Sequence, residues 1–160
     1  MHGCKPVDTP LPGGWRKEDA TSAEVVDATV YRKLVGSLMY LVNTRPDICY
    51  AINQLSQAMV NPTKLFWKKG KHVLRYLRGT SGYGLWYRQE DEVKLCGFTD
   101  DIRYHHIRDC VQRRIMLLSC IPTEDYDADI LMKALTRSKF EYHRGRLRVA
   151  DNPYVVEREC

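Results

Sequence analysis

The chain lacks acid where it is richest in base. From Ile48 to Gln89 there is no Asp and no Glu, while Lys64, Lys68, Lys69, Lys71, Arg75, Arg78 and Arg88 give that stretch a charge of +7. The whole 160-residue chain carries +5, so everything else sums to −2 and the basic character is local. No apolar run approaches the ~20 residues a bilayer-spanning helix needs, so no membrane partner is expected. The opening MHGCKPVDTPLPGG has no apolar core of the kind a secretion signal carries, which sets the expectation of an intracellular, non-secreted protein. The six cysteines, at 4, 49, 96, 110, 120 and 160, form no C-x-x-C and have no histidine at metal-site spacing. That pattern excludes a finger-type zinc site and fits scattered reduced thiols. There is no internal repeat. At 44% hydrophobic, this length suits one modest domain or two small ones.

What is present is helical periodicity. Val30, Leu34, Leu38, Leu41 and Val42 recur at helical spacing, with Asp27 or Thr29 able to cap the start and Asn43-Thr44 ending the run. Pro46 suits the first turn of a second helix, whose apolar positions are Ile48, Ala51, Ile52, Leu55 and Met59. Asn61-Pro62 breaks it. A third helix sets Phe66, Gly70, Val73, Leu74 and Leu77 on one face and stops at Gly79, a favourable residue just past a helix end. Residues 28–80 therefore predict a three-helix unit. Residues 1–27, with Pro6, Pro10, Pro12, Gly13 and Gly14, predict an extended, mobile linker.

The third helix carries a second pattern. Lys64, Lys68, Lys71, Arg75 and Arg78 are spaced 4, 3, 4, 3, which lines five cations along one face. Like charges one turn apart cost about 0.2–0.5 kcal/mol each in an isolated helix. A basic row beside Trp67 and Tyr76 is what a phosphate-backbone contact needs. The plainer reading is a solvated face.

After Thr80 the period changes. Leu85–Tyr87 and Val93–Thr99 predict a β-hairpin across a polar turn. Tyr104, Ile107, Cys110 and Val111 suit a helix, Ile115–Cys120 a buried strand, and Thr123 or Asp125 could cap a helix running to Leu135. A last helix is expected over Ser138–Leu147, and a loose tail over 148–160. Adjacent His105 and His106 would point about 100° apart on a helix, a poor arrangement for sharing one metal.

These segments also carry a resemblance. YRKLVGSLMYL, TRPDI, KHVLRYLRGT, GLWY and LCGFTD, in that order, resemble the Pol polyprotein of copia-type LTR retrotransposons, at the passage from the end of the reverse transcriptase into RNase H. The resemblance implies that the polymerase Asp-Asp motif lies upstream of Met1, so no polymerase centre is expected. It also implies that Asp100, after Gly97-Phe98-Thr99, matches the first RNase H carboxylate, with Asp101 less suited. Residues 102–135 resemble the later part of the same domain, where Asp129 matches the late, weaker carboxylate. Tyr126 and Cys120 depart from the family's usual Gln and aromatic there. The family segment holding the middle of the sheet, a Glu-bearing helix and a second Asp-bearing strand has no counterpart, which places a deletion near 101/102.

The expected class is thus α+β: a three-helix unit, then a truncated RNase H-like region over 81–147 with a hairpin, one further strand and two to three helices. A stable helical unit and a poorly consolidated remainder follow from the lost strands. The family uses Mg²⁺. Asp100 and Asp129 alone would hold at most one weakly bound ion, whereas the chemistry clamps two ions about 3.5–4 Å apart with several carboxylates. The expected function is an inactive Pol fragment, without a working metal, that binds RNA–DNA hybrid or DNA non-specifically. The alternatives are a dedicated nucleic-acid-binding module and an active, shortened RNase H.

Overall fold

The computed structural model describes residues 3–12, 24–86, 97 and 110–151. It is mixed helix and strand, consistent with the α+β class. Two units divide the chain, one made of residues 1–87 with 129–160 and the other of 88–128.

The first unit begins with α1, Ala28–Leu41. Asp27 caps it, its carboxylate accepting from the Thr29 amide at 2.7 Å. The buried face is Tyr31, Val35 and Leu38, with Leu34 half-buried, whereas Val30 and Leu41 are exposed. The apolar stripe read from sequence is thus rotated. Tyr31 reaches the core because its hydroxyl finds a partner there, the Leu55 carbonyl at 2.7 Å. Burial pushes its pKa up to about 12.

A short 3₁₀ turn, Pro46–Ile48, leads into α2, Cys49–Ser56, which buries Ala51, Ile52 and Leu55. Helix α3, Lys64–Gly79, buries Phe66, Gly70, Val73 and Tyr76. A Cβ on Gly70 would lie 3.0 Å from Leu34 Cδ2, so α1 and α3 approach closely there. The three expected helices are all present.

The remainder departs from expectation. Strand β1, Tyr83–Leu85, pairs antiparallel with β2, Val149–Asp151, in the register Tyr83–Asp151, Gly84–Ala150, Leu85–Val149. The hairpin partner expected at 93–99 lies outside the described residues apart from Gly97. The Trp86 indole N–H donates to the Ala150 carbonyl at 3.1 Å and extends this pairing. Before β2 come α4, Asp129–Met132, and α5, Arg137–Arg146. Ile130 and Phe140 belong to the same core as α1, α2 and α3, with Leu131, Leu135 and Leu147 packed against it. Residues 129–151 are therefore consolidated with the helical unit. The helix expected from Thr123 to Leu135 is only a 3₁₀ turn, Thr123–Asp125, followed by α4. Asp125, Asp127 and Asp129 favour turns and helix starts over helix interiors.

Residues 3–12, expected as mobile linker, are tied down. Leu11 is buried in the core and Val7 packs against it. Asp8 pairs with Arg137 at 2.8 Å.

At the centre of this unit sits a polar cluster. Arg45 and Asp47, 5% and 1% exposed, meet in a two-point ion pair at 3.0 and 2.8 Å. Arg45 also donates to the Thr80 carbonyl and hydroxyl, each at 2.8 Å. The Tyr76 hydroxyl donates to Asp47 at 2.6 Å and accepts from Arg144 at 3.1 Å. The Arg144 guanidinium stacks 4.8 Å over the Tyr83 ring, and Phe140 meets Tyr76 edge-on at 5.7 Å. The pair thus links the turn before α2 to the end of α3, and Tyr76 carries the link on to α5.

In the second unit, residues 110–112 are helical and the helix closes at Arg114, whose φ is +59°. Its amide bonds the Val111 carbonyl and the Ile115 amide bonds the Cys110 carbonyl, a Schellman closure. The expected buried strand at 115–120 is neither strand nor buried. Ile115, Met116, Leu117 and Leu118 are all exposed, Leu117 by 94%.

Two substitutions test this packing. Asp47→Ala leaves Arg45 buried without its counter-charge and is expected to cost about 3–5 kcal/mol. Phe140→Ala is expected to cost about the same through cavity formation. Urea unfolding measures both. A Phe140→Ala midpoint equal to that of the wild type would remove α5 from the core.

Candidate nucleic-acid interface

The five-cation row lies on the side of α3 opposite the core. Lys64, Lys68, Lys71 and Arg78 are exposed and Arg75 is half-buried. From Lys64 to Arg78 the row runs about 21 Å at 1.5 Å per residue. Core packing of Phe66, Gly70, Val73 and Tyr76 fixes the roll of the helix and so turns the row outward.

Most of the row already has partners. Lys64 pairs with Glu24, and the flanking backbone is held by the Lys64 amide bonding the Glu24 carbonyl at 2.7 Å. Both side chains of that pair are more than half exposed, so it contributes about 0–1 kcal/mol and yields readily to a phosphate. The Lys71 ammonium sits 5.5 Å over the Trp67 ring. Arg75 Nε donates to the Lys5 carbonyl and Arg78 Nη1 to the Cys4 carbonyl, each at 2.7 Å. Of the two aromatics read beside the row, Trp67 is half-buried, while Tyr76 is fully buried and belongs to the polar cluster. Tyr76 cannot stack on a base.

His72 lies between these groups. Its Nε2 is 3.0 Å from the Thr9 carbonyl, to which it donates. Burial, then the charges of Arg75 and Lys69, lower its pKa below 6.5, and the Thr9 bond opposes this only partly. His72 is thereby held neutral among cations.

Asp100, like Asp101, His105 and His106, lies outside the described residues. Asp129 opens α4 and pairs with Lys133 at 2.7 Å. Among the described residues, no three His, Cys, Asp or Glu side chains gather in a way that could hold a metal ion. No described helix is long and apolar enough to cross a membrane.

The sequence reading missed Glu24, Lys5 and His72. The signal available for His72 was its place between Lys71 and Arg75 on the flank of the row. Lys5 carried none, because its approach depends on how residues 3–12 return along α3.

Comparison with known proteins gives homologues at about 40% identity over 62% of the chain, named as retrovirus-related Pol polyproteins. The Pol polyprotein from transposon RE2 of Arabidopsis thaliana is 42% identical over 100 residues, covering 7% of its own length. That from transposon TNT 1-94 of Nicotiana tabacum is 40% identical over 107 residues, covering 8%. An uncharacterized Arabidopsis thaliana mitochondrial protein, AtMg00810, is 40% identical over 100 residues, covering 41%. The chain thus spans less than a tenth of the length of these two polyproteins, and the similarity supports a transposon Pol fragment. No family model matches the chain, and no solved structure matches it.

The state of His72 generates a pH prediction. Its folded pKa is lowered, so between that value and about 6.5 the unfolded chain binds more protons and stability rises with pH. Stability is therefore lost as pH falls below about 6.5. Melting at about pH 7.5 and about pH 5.5 should show a larger loss for the wild type than for His72→Gln. Equal losses would mean that His72 does not titrate against the fold.

Proposed function

We propose that this chain is a fragment of a copia-type Pol polyprotein spanning the reverse transcriptase end and an abridged RNase H segment, without catalysis of its own, and that it holds nucleic acid non-specifically through α3. The observation that carries the binding reading is the outward row Lys64, Lys68, Lys71, Arg75 and Arg78 within a stretch that contains no acid. Such a row meets phosphates by charge, and phosphate contacts carry no sequence information, so it would hold RNA–DNA hybrid or DNA without regard to sequence. The Pol-named homologues support the fragment reading.

Inactivity is supported by the chemistry of the acids. Two-metal hydrolysis needs several carboxylates converging on two Mg²⁺ ions, one activating water and the other stabilising the leaving oxygen. Of the two motif-matched acids, Asp129 is paired with Lys133. Mg²⁺ keeps most of its waters unless several oxygens replace them. The alternative, a shortened but active RNase H, would need Asp100 to find other carboxylates.

Binding to a labelled RNA–DNA hybrid should weaken with salt at a log–log slope of about −0.9 per phosphate neutralised. Replacing Lys68, Lys71 and Arg75 together by Gln should flatten that slope by up to about 0.9 per residue. An unchanged slope would leave the row a solvated face only.

The same hybrid should remain uncut with Mg²⁺ or Mn²⁺. Metal-dependent cleavage that vanishes in Asp100→Asn would restore the enzyme.

A further inference from the structure

We infer that residues 4–9 are a built-in part of the α3 interface: a strap that holds Arg75 and Arg78 in position for phosphate, admitted by the missing side chain of Gly79. This rests on reading the α3 row as a nucleic-acid contact.

Three bonds seat the strap along the last two turns of α3. The Cys4, Lys5 and Thr9 carbonyls accept from Arg78, Arg75 and His72. The strap's one acid, Asp8, is paired with Arg137 of α5 and so does not neutralise the row.

The seat depends on Gly79. A Cβ at that position would fall 2.8 Å from Pro6 Cβ, closer than such atoms approach, and proline's ring cannot swing aside. Gly79 is the last residue of α3 and Thr80 is the cap, so backbone conformation does not demand glycine there. The space taken by Pro6 does.

The geometry is that of bracing rather than cover. A guanidinium has five N–H donors, and Arg75 spends only Nε on the strap, keeping both terminal amino groups for a phosphate fork. Arg78, Lys71 and Lys68 stay exposed with the strap in place. Arg side chains have large rotamer freedom, and holding two of them beforehand removes an ordering cost from binding.

Anisotropy titration of a fluorescent RNA–DNA hybrid tests this with full-length wild type, Gly79→Val, Arg75→Lys/Arg78→Lys, and the combination, with helicity checked by circular dichroism. Gly79→Val keeps every charge but lifts the strap, and should weaken binding about tenfold with the salt slope unchanged. The double Lys variant keeps both charges and loses the Nε donor and the fork, so it should weaken binding similarly. Adding Gly79→Val to it should do little more. Wild-type or tighter binding by Gly79→Val, or full additivity in the combination, overturns the inference while leaving the α3 reading intact. Absence of binding by the wild type overturns both. If Gly79→Val does not fold, wild-type affinity in the double Lys variant is the overturning result.

Discussion

Everything in the first unit is registered on the buried pair of Arg45 and Asp47. Desolvating two charges is costly, and the cost is offset only when geometry is good and every remaining donor and acceptor is used. Here a two-point ion pair is completed by both Thr80 oxygens and by the Tyr76 hydroxyl. Burial, reinforced by the neighbouring Asp47 charge, raises the Tyr76 pKa well above its ordinary value, so Tyr76 remains a donor. For Arg45, burial works against its charge, and the Asp47 bond and charge overcome it. Because these partners come from the turn before α2, from α3 and from α5, the cluster sets how those elements sit on one another. It thereby sets the roll of α3, and with it the outward direction of the cations.

Much of this was legible. Helical periodicity located α1, α2 and α3, Asp27 was among the expected caps, and the 4, 3, 4, 3 spacing put the cations on one face. What periodicity could not see was a polar atom going inward. Tyr31 and Tyr76 look like surface aromatics until the Leu55 carbonyl and Asp47 are placed opposite them. Asp47 offered a signal, as the last acid before a long acid-free stretch and two residues from Arg45 across a proline. Gly79 read as a helix terminator, and its close approach to Pro6 is a tertiary fact.

The larger departure concerns pairing. Local alternation placed a hairpin after Thr80, whose second strand lies outside the described residues; the pairing seen is that of Leu85 with Val149, more than sixty residues away. Strand pairing over such a separation leaves no periodic trace between the partners. The apolar content of Ile130 and Phe140 was readable, but not that it completes the core begun by Tyr31 and Val35. Conversely, Ile115–Leu118 has the composition of a buried strand and is exposed, because composition alone does not supply a partner. The Pol resemblance fitted the motifs of the helical part well. It suggested poor consolidation for the later residues, of which 129–147 instead share the core and supply Arg144 to the central cluster.

The most direct measurement of that shared core is native-state hydrogen exchange, compared between the amides of α3 and those of α5 and β2. If the Arg45–Asp47 cluster joins them, Val73, Phe140 and Val149 should open together, with protection set by one common unfolding free energy. Exchange of the α5 and β2 amides through a separate opening of much lower free energy, with α3 still protected, would contradict the account.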